Sequence, residues 1–306
     1  MKLALKIDID TYRGTREGVP RLLRALERAH ARATFLFSVG PDHTGRALRR
    51  VFKRGFLGKV VRTSVIEHYG LKTLLYGTLL PGPDIGAACR DELRAVRDAG
   101  HETGLHAWDH VEWQDRVATQ GPDWTARVWW RGVNRYADIF GEPPRVHGAA
   151  GWQMNAHAFR LEEQGAIEYA SDTRGRHPFV PVIEGSPLRC PQLPTTLPTL
   201  DELIGTPGCD ASNVDQLLLR QTAQDPAAHA HVFTLHAELE GLRLLPVLER
   251  LIGGWCSQGY ELVAMRQIFN GLDVANLPLH SVEPGVVPGR AGTLMVQGGR
   301  LPGTRP

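Results

Sequence analysis

The run His106-Ala107-Trp108-Asp109-His110 spaces two imidazoles four residues apart. On a helical turn, residues i and i+4 share one face, about 5–6 Å apart at Cβ, so both rings could reach one metal ion. A second acidic signal lies in Lys6-Ile7-Asp8-Ile9-Asp10-Thr11. Side chains alternate along a strand, which puts Asp8 and Asp10 on the same face. Two His and one Asp make a three-ligand set with an open position, the usual arrangement of a hydrolytic metal centre. The signature H-E-x-x-H is absent, because Ala107 follows His106, so this is not a standard metalloprotease helix. Each half also has a plainer use: a His pair on a solvated helix face, an Asp pair at a loop or cap. The metal reading gains because both halves sit at strand ends, where an α/β barrel keeps its chemistry.

The elements that must position these residues read as alternating strands and helices. Leu3–Ile9, Ala33–Gly40, His101–Leu105, Val146–Ala149, Glu168–Ser171, His231–His236 and Glu261–Ala264 read as strands. Between them, Glu17–His30, Cys89–Ala99, Trp124–Phe140, Asn155–Gln164, Asn213–Gln224 and Leu244–Ser257 carry apolar residues at helical spacing. Such alternation predicts parallel strands joined by crossover helices, and the number of units suits a barrel, complete or incomplete. From Pro284 onward the chain is rich in Gly and Pro and reads as a loosely held tail.

With 306 residues and 42% hydrophobic content, the chain can bury one large core. A net charge of +2 is too mild to argue for a nucleic-acid partner. Cys89, Cys190, Cys209 and Cys256 show no metal or redox spacing and read as reduced thiols in a cytosolic setting. Met1–Ile7 reads as running straight into the acidic strand rather than as a secretory signal, and no apolar run is long enough to span a bilayer. Segment 46–80 breaks the alternation. It carries Arg46, Arg49, Arg50, Lys53, Arg54, Lys59 and Arg62, with no acidic residue between Asp42 and Glu67, interleaved with Val51, Phe52, Phe56 and Leu57. This predicts a basic, amphipathic helical insertion suited to an anionic bilayer surface; its plainer alternative is a pair of surface helices.

Over about residues 3–270 the chain resembles the polysaccharide deacetylases of the NodB-homology type. Ile7-Asp8-Ile9-Asp10 resembles their first motif, and His106 to His110 keeps the spacing of H-[ST]-x-x-H with Ala107 in place of the hydroxyl residue. His147-Gly148-Ala149-Ala150-Gly151 keeps only the glycine of R-x-P-x-G. Ser171-Asp172-Thr173-Arg174-Gly175 partly matches the Asp-containing loop, and Phe233-Thr234-Leu235-His236 matches the last strand. Residues 9–20, 104–110, 193–202 and 235–241 resemble one branch more closely, the ArnD-type deformylases.

The resemblance implies a distorted (β/α)7 barrel over residues 1–275, an insertion at 43–85 and a tail at 276–306. It implies a metal-dependent amidohydrolase. The branch acts on undecaprenyl-phosphate 4-deoxy-4-formamido-L-arabinose, in the lipid A decoration that gives polymyxin resistance. That would place the chain at the cytoplasmic face of the inner membrane, held peripherally through 46–80. Asp10, His106 and His110 would hold a divalent cation such as Zn²⁺, Co²⁺, Mn²⁺ or Ni²⁺. Asp8 would act as base and His236 as acid, with Asp172 orienting His236. Arg13 and Arg174 are candidates for the phosphodiester, Trp108 and Trp152 for the sugar, and a backbone N–H near Gly151 or Trp152 for the oxyanion. The competing expectations are an N-deacetylase or ureide hydrolase on the same fold, a glycosidase using Asp8 and Asp10, and a non-enzymatic lipid-phosphate or sugar binder.

Overall fold

The computed structural model describes residues 1–47, 72–224 and 230–303. Most of the expected basic insertion, including Arg49, Arg50, Lys53 and Arg54, lies outside the described residues.

Seven parallel strands form one curled sheet: β1 (Lys2–Ile9), β2 (Thr34–Ser38), β3 (Glu102–Ala107), β4 (Val146–His147), β5 (Tyr169–Ala170), β8 (His231–His236) and β9 (Glu261–Val263). Their order is β5-β4-β3-β2-β1-β8, with β9 on the first residues of β1. The gap between β5 and β8 is spanned by an irregular segment. Leu193 N–H donates to the Ala170 carbonyl at 2.7 Å, and Thr196 N–H to the Val232 carbonyl at 3.1 Å. This is the expected distorted (β/α)7 barrel, closed by residues that are not a regular strand.

Alternation sorts the side chains. Leu3, Leu5, Ile7 and Ile9 pack outward against helices such as Val19–Arg28 and Leu245–Ser257, in the larger apolar core. Ala4, Leu36, Val146, Tyr169, Leu193, Val232 and Val263 form a second apolar cluster inside the barrel. Lys6 and Asp8 follow Ala4 on that inner face, so polarity rises toward the carboxyl ends of the strands. Pairing register then sets neighbours: Asp8 lies beside His236 on β8, and Lys6 beside Thr234.

The tail expectation needs correction. β10 (Leu279–Gly285) and β11 (Leu294–Leu301) pair antiparallel, and β10 joins β6 (Val180–Ile183), which pairs with β7 (Ser186–Pro187). Leu279 and Leu294 are buried. The Arg174 N–H donates to the Met295 carbonyl at 2.9 Å, and Gln297 N–H to the Arg174 carbonyl at 2.8 Å. Pro288, Gly289 and Gly292 lie in the turn, while Pro284, Gly285, Gly298 and Gly299 sit within strands that pair nonetheless. Backbone groups satisfied in this way hold the hairpin over the mouth of the barrel.

Candidate metal centre and cleft

The two imidazoles meet, but not on a helix. His106 is the penultimate residue of strand β3, and His110 is the first residue of the helix His110–Arg116. Asp109 is that helix's N-cap: its Oδ1 accepts from Glu112 N at 3.0 Å, and its Oδ2 holds His43 Nδ1 at 2.5 Å. The strand-to-helix corner folds His110 back over His106, with ring centroids 5.3 Å apart.

Asp10, just beyond β1, completes the set. His106 Nε2 lies 3.1 Å from Asp10 Oδ1, and His110 Nε2 lies 3.3 Å from Oδ2. His106 Nδ1 sits 2.5 Å from the Gly148 carbonyl. A carbonyl only accepts, so Nδ1 carries a proton and Nε2, the nitrogen on the Asp10 side, is the one left to bind a metal, the second-sphere arrangement common to metal-ligating His. Asp10 Oδ1 and Asp8 Oδ1 are buried with no hydrogen-bond partner. Two imidazole nitrogens and a carboxylate, all within 4.8 Å of one another, with an unsatisfied acceptor between them, fit a first-row divalent cation. Burial works to raise Asp10, but His110, His106 and His236 outweigh it and hold its carboxyl well below the usual range. Burial lowers His110, whereas at His106 Asp8 and Asp10 overcome burial and raise it.

Asp8 and His236 face the same cleft of about 130 Å³, together with Gln114, Gly151 and Trp152. Lys6, wholly buried, stands 3.5 Å from Asp8 Oδ2 and donates to the Ser171 carbonyl at 3.0 Å. Gly148 makes room for it: a Cβ there would come within 3.1 Å of Lys6 Cε and 2.4 Å of Leu36 Cδ1. Burial lowers His236, but Asp201, Asp10, Glu240 and Asp8 outweigh it and shift the imidazole upward, toward its protonated form. The His236 N–H donates to Glu240 Oε2 at 2.7 Å.

Several expected residues lie elsewhere. Asp172 does not orient His236. It is buried against His147 at 2.9 Å, accepts from Ala149 N at 2.8 Å and from Gln192 Nε2 at 2.7 Å, and belongs to a sealed His147–Glu162–Asp172 cluster. The carboxylate that faces His236 in its stead is Asp201, beside the helix N-cap Thr199. Trp108 packs away from the cleft, under the guanidinium groups of Arg131 and Arg135, 4.4 and 5.3 Å from its ring centroid. Arg13 pairs with Glu17 at 3.3 Å outside the cleft. Arg174 is buried in a pair with Glu202 and donates to the Leu197 carbonyl at 2.9 Å. Gly151, at φ +62°, and Trp152 do line the cleft. The Trp152 N–H is already given to the Ala149 carbonyl at 3.0 Å, so it does not serve an oxyanion.

Sequence reading passed over Lys6, Asp201 and Arg290. Lys6 had a signal: a lysine at an inward position of an otherwise apolar strand, in phase with Asp8 and Asp10. Asp201 sits in a stretch recognised only by resemblance. Arg290 sits in the supposed tail, and reaches the cleft on the β10–β11 turn.

No protein-family model matches the chain. A probable 4-deoxy-4-formamido-L-arabinose-phosphoundecaprenol deformylase, ArnD, of Shewanella sediminis is 36% identical over 296 residues, 97% of this chain and 94% of that protein. The protein of the same name from Wigglesworthia glossinidia brevipalpis is 31% identical over 288 residues, 93% of this chain and 98% of its own. Among solved structures, a putative polysaccharide deacetylase from Mycobacterium smegmatis superposes with a TM-score of 0.63 at 18% identity, covering 94% of each chain. A probable polysaccharide deacetylase from Pseudomonas aeruginosa PAO1 gives 0.60 at 14% identity, covering 88% of this chain and 89% of that one. These likenesses establish the fold, while the near full-length identity to the first two proteins establishes kinship: the chain belongs to the ArnD deformylase family, on the polysaccharide deacetylase fold.

Proposed function

We propose that this chain hydrolyses the formyl amide of undecaprenyl-phosphate 4-deoxy-4-formamido-L-arabinose, releasing formate and the 4-amino sugar lipid. The observation that carries the reading is the convergence of Asp10, His106 and His110 with Asp8 and His236 in one small cleft, in a chain whose relatives are named for that reaction.

Asp10, His106 and His110 would hold the divalent cation. When bound, it supplies Lewis acidity toward the formyl oxygen and makes water more acidic. Asp8, beside that set, takes the proton from the attacking water. Lys6 pairs with Asp8 through its Oδ2, leaving Oδ1 without a partner for the incoming proton. As the carbon–nitrogen bond breaks, His236 gives its proton to the departing amine, and Asp201 favours the protonated imidazole beforehand.

The substrate's polyprenyl chain resists leaving the bilayer, at about 0.8 kcal/mol per buried CH₂, so the enzyme works at the membrane surface. No helix of the described residues is long and apolar enough to cross a membrane. Leu79 and Leu80, at the edge of the basic segment, are 81% and 38% exposed and support docking there at the cytoplasmic face of the inner membrane. Replacing Arg49, Arg50, Lys53 and Arg54 with Ser should reduce binding to anionic liposomes more than turnover of a water-soluble analogue; unchanged liposome binding contradicts the docking.

The reaction itself is tested by incubating the enzyme with the lipid-linked formamido sugar and its N-acetyl counterpart. Chelator-sensitive release of formate from the first is expected. Acetate release from the second, with none from the first, would assign a deacetylase instead.

A further inference from the structure

We propose that Arg290, carried into the cleft by the β10–β11 turn, is the residue that recognises the substrate's phosphodiester. This deepens the deformylase reading and rests on it.

A glycosyl phosphate with a formamido group at C4 has its reacting amide and its anionic group at opposite ends of one sugar ring. The cleft holds groups for both: Asp8, Asp10, His106, His110 and His236 line it together with Asp201 and Arg290, and Asp201 Oδ2 lies 3.3 Å from an Arg290 guanidinium nitrogen. An amide placed between Asp8 and His236 therefore directs the far end of the sugar toward Arg290. Among the described residues lining the cleft, Arg290 is the lysine or arginine. The two arginines suggested by sequence do not serve: Arg13 is outside the cleft, and Arg174 is buried against Glu202.

Arg290 is also preorganised. Its Nε–H donates to Glu202 Oε1 at 2.8 Å, and its guanidinium lies 4.7 Å from the Trp152 ring centroid. The hairpin that carries it is tied to the site's own loop, since Gln153 Nε2 donates to the Thr293 carbonyl at 2.6 Å. A planar cation held between two carboxylates, Glu202 and Asp201, and an indole face loses little freedom on meeting an anion, and a guanidinium matches phosphate geometry. Gly289 allows the approach: at φ +83°, a Cβ there would lie 2.3 Å from the Glu202 carbonyl oxygen.

The test compares two substrates: a short-prenyl phosphate-linked formamido sugar, and the methyl glycoside of the same sugar, which has no phosphate. In Arg290→Gln, kcat/KM for the phosphate-linked compound should fall about 30-fold, the scale of one charge-assisted pair, chiefly through KM. The fall for the methyl glycoside should be at least tenfold smaller, and Arg290→Lys should recover part of the loss. Equal falls on both compounds would overturn the proposal, because Arg290 would then act only through Asp201 on His236. No fall on either would overturn it as well. A second arm needs no turnover: dimethyl phosphate should quench tryptophan fluorescence of the wild type and not of Arg290→Gln, whose thermal melt should match that of Arg290→Lys. Absence of that difference counts against the anion site. Quenching by a wild type that releases no formate would keep the site and discard the deformylase reading.

Discussion

Two clusters in this molecule use the same side chains to opposite ends. Asp10, His106 and His110 face the cleft, and an Asp10 oxygen is left without a partner. His147, Glu162 and Asp172 are sealed, each no more than 1% exposed. There His147 Nδ1 lies 2.8 Å from Glu162 and 2.9 Å from Asp172, while Asp172 also takes two further donors. Burial and Asp172 push Glu162 well above the ordinary carboxylate range, so it keeps its proton. The second cluster is closed off from any ligand, and the first opens on a cleft suited to a cation. Residue type alone does not distinguish a ligand set from a structural one, and neither does an unmet acceptor, since Glu162 Oε2 also has no partner; access does. The sealed cluster still bears on the site, because the Ala149 N–H bound by Asp172 fixes the loop whose Gly148 carbonyl orients His106.

The contrast can be broken or sharpened by substitution. The largest effects belong to the open cluster. Asp10→Asn or His110→Ala should abolish formate release together with metal content. Asp8→Asn should keep the metal while losing turnover by about 10³-fold, the scale of a positioned base; a metal-free Asp8→Asn protein would merge the two roles. In the sealed cluster, Asp172→Asn strips a buried imidazolium of its partner at a cost of about 3–5 kcal/mol. Tm should fall on the order of 10 °C, and an unchanged Tm with lost activity would move Asp172 into the catalytic machinery.

A smaller effect is expected with pH. Burial lowers His147, but Asp172 and Glu162 outweigh it and hold the imidazole up at about 9. Against an unfolded value near 6.5, its contribution to stability is complete below about pH 6.5 and lost as pH rises through about 9. The wild-type Tm should therefore drop more between pH 7 and 9.5 than that of His147→Asn, and parallel curves would contradict the assignment. Smallest of all, Arg13→Ala should change turnover less than about twofold, since its pair with Glu17 is a surface one; a large loss would restore Arg13 to the cleft.

Much of this was legible in the chain, for physical reasons that differ by residue. The barrel follows from apolar runs separated by helical periodicity, and Asp8 and Asp10 from strand alternation. His106 and His110 form the right pair by a different route: a strand-to-helix corner, which four-residue spacing also permits, brings them together rather than one helical face. Asp172 was assigned to His236 because loop motifs carry no direction, and only three-dimensional packing shows that His147 claims it. Arg290 and the hairpin were hidden because Gly and Pro, in the turn and within both strands, resemble an unstructured end. The two short apolar runs that flank that turn, at Leu279 and Leu294, were the available signal.

Metal analysis of purified protein tests the contrast most directly. One divalent ion per chain is expected in the wild type and in folded His147→Asn, and none in His106→Ala. A full equivalent retained by His106→Ala, or its loss from His147→Asn alone, would place the metal in the other cluster and contradict this account.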